Sequence, residues 1–247
     1  MPNWRRCLGE GATKAGQYNG RDVTRAVFFD VDFTLIFPGP RFQGAGYWDF
    51  CAEHGIAVDA DAFAQAVAAS SRFLDVDDNV YDPDVFVRYT RSIIEHMGGC
   101  GDDLDTVARR IFDEWAHCHH FELYDDVPDV LRGLREAGLT IGLISNTGRC
   151  LSSFQRHFDL EGLFNVAVSS SDHGYMKPHP SIFEEALRQA GVAASDAVMV
   201  GDSLPHDIEG ARALGMRAVL VSRGRPAFDA PPDVPVIRTL RELPALL

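Results

Sequence analysis

Apolar and polar positions follow two rhythms along this chain. "VFFDVDFTL" (27–35) opens with three apolar residues, the mark of a buried strand, and breaks at once into Asp30 and Asp32. From residue 122 onward, short apolar runs alternate with helical periods. "DDVPDVLRGLREAGL" predicts a helix with Asp126 as its cap, Pro128 in the first turn and Gly138 as its stop. Val130, Leu131 and Leu134 form its buried face. "TIGLIS" (140–145), "FNVAVSS" (164–170), "AVMVGD" (197–202) and "RAVLVS" (217–222) read as strands. "CLSSFQRHF" (150–158), "PSIFEEALRQAG" (180–191) and "IEGARALG" (208–215) read as helices between them, and a short strand near 234–237 precedes a helical tail.

Strands alternating with helices predict an α/β fold, a Rossmann-like, doubly wound and mostly parallel sheet covered on both faces. Residues 38–121 break the rhythm with helical patterns alone, such as "DADAFAQAVAASSRFL" and "DPDVFVRYTRSIIEHMG". The expected division is therefore a core of residues 25–37 and 122–247, an inserted helical cap over 38–121, and a polar, Gly-rich extension over 1–24.

Composition narrows the function. A chain of 247 residues with 46% hydrophobic and 24% charged positions is of ordinary globular type. Its net charge of −13 argues against a sequence-independent grip on nucleic acid and against an acidic membrane surface. Five scattered cysteines without a C-x-x-C pair suit a reducing compartment, and the N-terminus lacks the apolar stretch of a Sec signal, so a cytoplasmic enzyme is expected. Of the 23 basic residues, Lys14 and Lys177 are the two lysines.

Chemistry concentrates where strands finish. "ISNTG" (144–148) and "VGDSLPHD" (200–207) join "DVDFT" at strand ends, and "KPHP" (177–180) leads into a helix. Such ends form the ligand crevice of an open α/β sheet. Asp30, Asp32, Asp202 and Asp207 in one crevice resist ionising together and ask for a cation. Oxygen-only ligands select a hard ion, Mg²⁺ first, and Lys177 adds a further positive charge. Each cluster alone has a plainer reading. Asp30 and Asp32 could be a solvated strand end, Ser145–Asn146 or Asp207 a helix cap, and Lys177 an exposed side chain.

Taken together, "DVDFT", Ser145 with Asn146, Lys177 with Pro178, and "GDSLPHD" resemble the four motifs of the haloacid dehalogenase superfamily, in its phosphatase branch. Order and spacing agree over residues 25–247, and the helical insert resembles the type C1 cap. The resemblance implies Asp30 as nucleophile forming an aspartyl-phosphate, and Asp32 as acid and then base. It implies a metal held by the Asp30 carboxylate, the Asp32 backbone carbonyl and Asp202, with Asp207 supporting from outside or through water. Ser145 and the Asn146 amide, near a helix N-terminus, would bind phosphoryl oxygens, and Lys177 would neutralise charge. The expected activity is Mg²⁺-dependent hydrolysis of a small phosphorylated metabolite by a monomer or homodimer. In one departure, Phe33 stands where the family usually has glycine, which is expected to alter the turn or the entry.

Alternatives share parts of this pattern. A phosphomutase of the β-phosphoglucomutase type has the same motifs and differs in keeping water from the phospho-enzyme. Haloacid dehalogenases usually lack a carboxylate at the Asp32 position. Phosphonate-cleaving relatives need a cap lysine, and residues 38–121 contain none. A non-catalytic phosphate-binding protein would most simply have lost Asp30 or Asp32. "HCHH" puts His117 and His120 a helical turn apart but lacks a partner pair at zinc-site spacing, so a cap-helix end accounts for it better. The acidic run "LDVDDNVYDPD" (74–84) lacks the EF-hand pattern and reads as a solvated loop. Arg41, Trp48, Arg72 and Arg88 are cap-side candidates for substrate contacts. A nucleotide, a sugar phosphate, phosphoglycolate or another small organic phosphate fits the motifs.

Overall fold

Strand β1 (Ala26–Phe29) is apolar at every position because neither of its faces meets water; all four residues are fully buried. Val27 and Phe29 pack into one hydrophobic cluster, and Ala26 and Phe28 into a second on the other face. The structure, a computed structural model, describes residues 23–74, 77–224 and 230–247. The polar extension expected over 1–24 lies, apart from Val23 and Thr24, outside the described residues.

After β1 the chain passes through β2 (Ile36–Pro38) into a helical segment. This holds α1 (Gly44–Ala52), α2 (Phe63–Ser70), α3 (Pro83–His96) and α4 (Leu104–Trp115), of which α2 and α4 pack against α3. It returns through β3 (Phe121–Leu123), which pairs antiparallel with β2 and closes the segment at its base. The sequence rhythm missed this ribbon, since each strand is three residues long and Pro38 ends one of them.

The rest alternates as expected: α5 (Val127–Glu136), β4 (Thr140–Ser145), α6 (Leu151–His157), β5 (Val166–Ser169), a short turn of helix α7 (Ser170–His173), α8 (Pro180–Ala190) and β6 (Ala197–Gly201). A wide π-helical turn (Leu204–Glu209), α9 (Gly210–Ala213), β7 (Arg217–Val221) and β8 (Val236–Ile237) follow. The tail Leu240–Leu246 is 3-10 helix, opened by a capping box between Thr239 and Glu242. The strands of the main sheet run in the order β5-β4-β1-β6-β7-β8, and every pair is parallel. From β1 the chain builds outward through β4 and β5, then crosses back to β6. That reversal puts the crevice at the C-terminal ends of β1, β4 and β6. At Gly142, in mid-β4, a Cβ would stand 2.5 Å from the Phe28 ring, so glycine is what lets that ring lie across the strand.

Two local expectations are corrected. Asp126 precedes α5 but its side chain makes no cap bond; it accepts instead from Arg223, Thr239 and the Leu240 amide near the chain's end. The helix predicted over 208–215 begins earlier and is split. Ser203 caps the wide turn, and Asp207 inside that turn faces inward rather than capping it. No helix among the described residues is long and apolar enough to cross a membrane.

Candidate active site

Asp30 follows the last residue of β1, and its amide donates to the Val200 carbonyl of β6, 2.9 Å away, which fixes it between two strand ends. Its carboxylate accepts from Lys177 Nζ at 2.7 Å. The same ammonium donates to Asp207 at 2.6 Å and to the Ile144 carbonyl at 2.8 Å, which uses all three of its donors. Lys177 is 2% exposed, so the reading of a solvated lysine does not hold. Asn146 secures the Lys177 backbone from the end of β4: its Nδ2 donates to the Lys177 carbonyl at 2.9 Å, and its Oδ1 accepts from the Lys177 amide at 2.6 Å.

Beside Asn146, Ser145 is buried at the end of β4. The helix predicted over 150–158 runs from Leu151 to His157, so the amides around Asn146 belong to the loop that leads into it. The acidic run beyond α2 is likewise more than a solvated loop. Tyr81 N donates to Gly174 O, and Asn79 O accepts from Met176 N, which ties the helical segment to the strand of chain leading into Lys177. Residues 75 and 76 of that run lie outside the described residues.

Asp30, Asp202 and Asp207 each offer a carboxylate oxygen, and these oxygens lie within 4.8 Å of one another. Gly201 makes the convergence possible, because a Cβ there would collide with the Asp207 carboxylate. Asp207 is almost fully buried and engaged at both oxygens, by Lys177 and by the Ser203 amide at 3.0 Å. Burial pushes the Asp30 carboxyl up to about 6; Lys177 pulls it down and Asp207 adds to the push. Three acids against one ammonium leave the cluster negative, and its donors are all oxygen. Those residues fit a hard divalent cation such as Mg²⁺.

Asp32 keeps its side chain out of that cluster. Its carboxylate accepts from Arg149 Nη1 at 2.9 Å, and Arg149 Nη2 donates to the Trp115 carbonyl at the end of α4, also at 2.9 Å. Burial raises the Asp32 carboxyl, and Arg149 holds it back. Sequence reasoning missed Arg149, one arginine among many, since its role depends on the path of the loop after β4. Phe33 does occupy the position of a glycine: its φ is +64°, in the left-handed region. The turn survives the substitution, and the ring stands 6.4 Å from that of Trp115.

Two cavities meet at this turn. The smaller, about 180 Å³, is bounded by Asp30, Lys177, Asp202, Ser203, His206 and Asp207. The larger, about 320 Å³, opens among the helices and is lined chiefly by aromatic and aliphatic side chains. None of the four cap-side candidates is in its lining. Arg41 lies over the Phe50 ring and beside Asp49 and Glu53, Arg72 over Phe73, Arg88 beside Asp82, and Trp48 is half exposed. In "HCHH" the groups that gather are His119, His120 and Glu114, with His120 Nε2 3.2 Å from the Glu114 carboxylate; His117 is not among them.

Comparison with known proteins agrees with this geometry. A family model described as haloacid dehalogenase-like hydrolase matches residues 84–221. Haloacid dehalogenase-like hydrolase domain-containing protein 3 of Danio rerio is 32% identical over 238 residues, covering 92% of this chain and 98% of that protein. The phosphoserine phosphatase of Thermus thermophilus is 34% identical over 155 residues, covering 60% of this chain and 60% of that protein. Among solved structures, a 2-haloacid dehalogenase from Pseudomonas syringae pv. Tomato has a TM-score of 0.61 and 31% identity, covering 90% of this chain and 97% of that one.

Proposed function

The chain belongs to the haloacid dehalogenase-like hydrolases, and from that premise we propose that it is a Mg²⁺-dependent phosphatase acting on a small phosphomonoester through an aspartyl-phosphate. One observation carries the reading: two carboxyl groups at one strand end have separate cationic partners. Asp30 is paired with Lys177, and Asp32 with Arg149. Carboxyls in different electrostatic settings suit different tasks.

In the proposed reaction an Asp30 oxygen attacks phosphorus, and the bond from phosphorus to the leaving oxygen breaks. Asp32 gives that oxygen its proton. Asp32, now ionised, then takes a proton from water as the water oxygen attacks the aspartyl-phosphate. The bond between phosphorus and Asp30 breaks, which restores both carboxyls and frees phosphate. Lys177 holds Asp30 in place and offsets charge on the phosphoryl group, with Ser145 and the Asn146 amide beside it. Asp30 and Asp202 with the Asp32 backbone carbonyl would hold Mg²⁺, supported by Asp207. When bound, the ion would supply positive charge for the phosphoryl oxygens. The helical segment would act as the cap that limits entry of water.

Hydrolysis of a carbon–halogen bond, as in the dehalogenase relative, is the second reading. Asp32 weighs against it, since a departing halide needs no proton. Phosphate release should require Mg²⁺, stop with a chelator, and fall at least 10³-fold in Asp30→Asn, the scale on which a lost nucleophile acts. Halide release in place of phosphate release would reverse the order of the two readings.

A further inference from the structure

We propose that the leaving group of the substrate is apolar and uncharged, of about the size of one or two aromatic rings. The inference rests on the phosphatase reading and names its substrate class. The larger cavity is continuous with the carboxylate site: Asp32, Phe33, Leu74, Phe86 and Asn146 line both spaces. A phosphoryl group at Asp30 therefore projects its ester oxygen past Asp32 into this space.

The walls decide what can follow that oxygen. Phe42, Tyr47, Phe63, Phe112 and Trp115 supply aromatic surface, with Ile93 and Ile111 behind them. Polar groups are few, namely Gln43, Thr90, Asn146, Thr147 and the tyrosine hydroxyls, and no lysine, arginine or histidine is among the described lining residues. The one carboxyl there, Asp32, is already paired with Arg149. A leaving group with a carboxylate or second phosphate would lose its hydration and find no cation in that lining to replace it. An apolar cavity of about 150 Å³ takes up benzene, and this one is about 320 Å³.

Phe33 is an independent sign. A bulky residue at positive φ is strained, and here the strained turn sets an aromatic ring at the junction of the two cavities. Glycine would relax the backbone and leave that junction open. Two of the three candidate arginines are paired elsewhere, Arg41 with Asp49 and Glu53, and Arg88 with Asp82, and Arg72 lies over Phe73 outside the lining.

The test compares three phosphates with Mg²⁺ present. Acetyl phosphate reports the chemistry with a minimal leaving group; 2-phenylethyl phosphate and phosphoglycolate both release a primary alcohol, apolar in one and anionic in the other. The expected result is kcat/KM at least tenfold higher for 2-phenylethyl phosphate than for phosphoglycolate. Val67→Phe, which narrows the cavity from α2, is expected to raise KM for the aromatic ester at least tenfold; Val67→Leu should move it the same way if the larger variant folds poorly. Turnover of acetyl phosphate or phosphoglycolate with no preference for the aromatic ester overturns the inference and leaves the phosphatase reading standing. An unchanged KM in both folded variants also overturns it. Absence of Mg²⁺-dependent release from all three compounds overturns the phosphatase reading itself.

Discussion

Arg149 exposes no side-chain surface, yet it carries a full charge between the sheet and the helical segment. One guanidinium ties the Asp32 carboxylate to the carbonyl of Trp115, and its flat face lies 4.4 Å from the Phe121 ring centre. Breaking such a buried pair from one side typically costs about 3–5 kcal/mol, so Arg149→Met should lower stability on that scale. It should also change chemistry in a way that packing loss does not. Burial raises the Asp32 carboxyl and Arg149 is the main restraint on that rise, so removing the cation lets it titrate higher. Asp32 acts first as an acid, and a raised carboxyl stays protonated to higher pH. The alkaline limb of the kcat/KM profile should therefore move upward in Arg149→Met. A profile lowered at every pH but unmoved would reduce Arg149 to a structural residue. The two aspartates were legible in the sequence because they break an apolar strand; Arg149 was not, because nothing local distinguishes it from the chain's other arginines.

Elements behave in the same way: what is local could be read, and what is distant could not. The strands of the sheet stood out because burial on both faces demands unbroken apolar runs. The β2–β3 ribbon did not, since its pairing of Pro38 with Phe121 spans the whole helical segment. Asp126 looked like a cap for α5, a rule that concerns four neighbouring residues. Instead it spends one oxygen on Arg223 at 2.6 Å, Thr239 at 2.6 Å and the Leu240 amide at 2.7 Å, which locks the start of α5 to the C-terminal tail. Asp126→Asn removes the charge from these bonds and should cost about 1.5–3 kcal/mol near neutral pH. Burial opposes ionisation here, but Arg223 and Thr239 outweigh it and hold the carboxyl below its ordinary 3.8. A lowered carboxyl in the folded state stabilises above the unfolded value and loses that contribution as pH falls through the folded one. Urea midpoints of wild type and Asp126→Asn should therefore differ by a constant amount above about pH 5 and converge in acid below pH 4. A gap that persists unchanged in acid would mean that the carboxylate charge is not what holds α5 to the tail.

At the scale of the whole molecule, a net charge of −13 would repel a phosphate unless the crevice differs from the surface. Lys177 alone does not reverse the sign, because Asp30 and Asp207 both claim its ammonium and Asp202 joins them. The folded chain thus gathers negative charge that the unfolded chain keeps apart, and a dication that binds the cluster should stabilise the fold through linkage. At a hundred times its dissociation constant such a ligand adds about 2.7 kcal/mol, and each kcal/mol raises Tm by about 2–4 °C in a chain of this size. Mg²⁺ should therefore raise Tm by several degrees, the rise growing with the logarithm of its concentration. Asp202→Asn is the informative variant, since Asp30 and Asp207 also anchor Lys177 and their loss would disturb the fold directly. It should abolish most of the Mg²⁺ shift. If Mg²⁺ shifts wild type and Asp202→Asn alike, the ion binds elsewhere on the acidic surface. The crevice would then have to receive its phosphate on Lys177 and backbone amides alone.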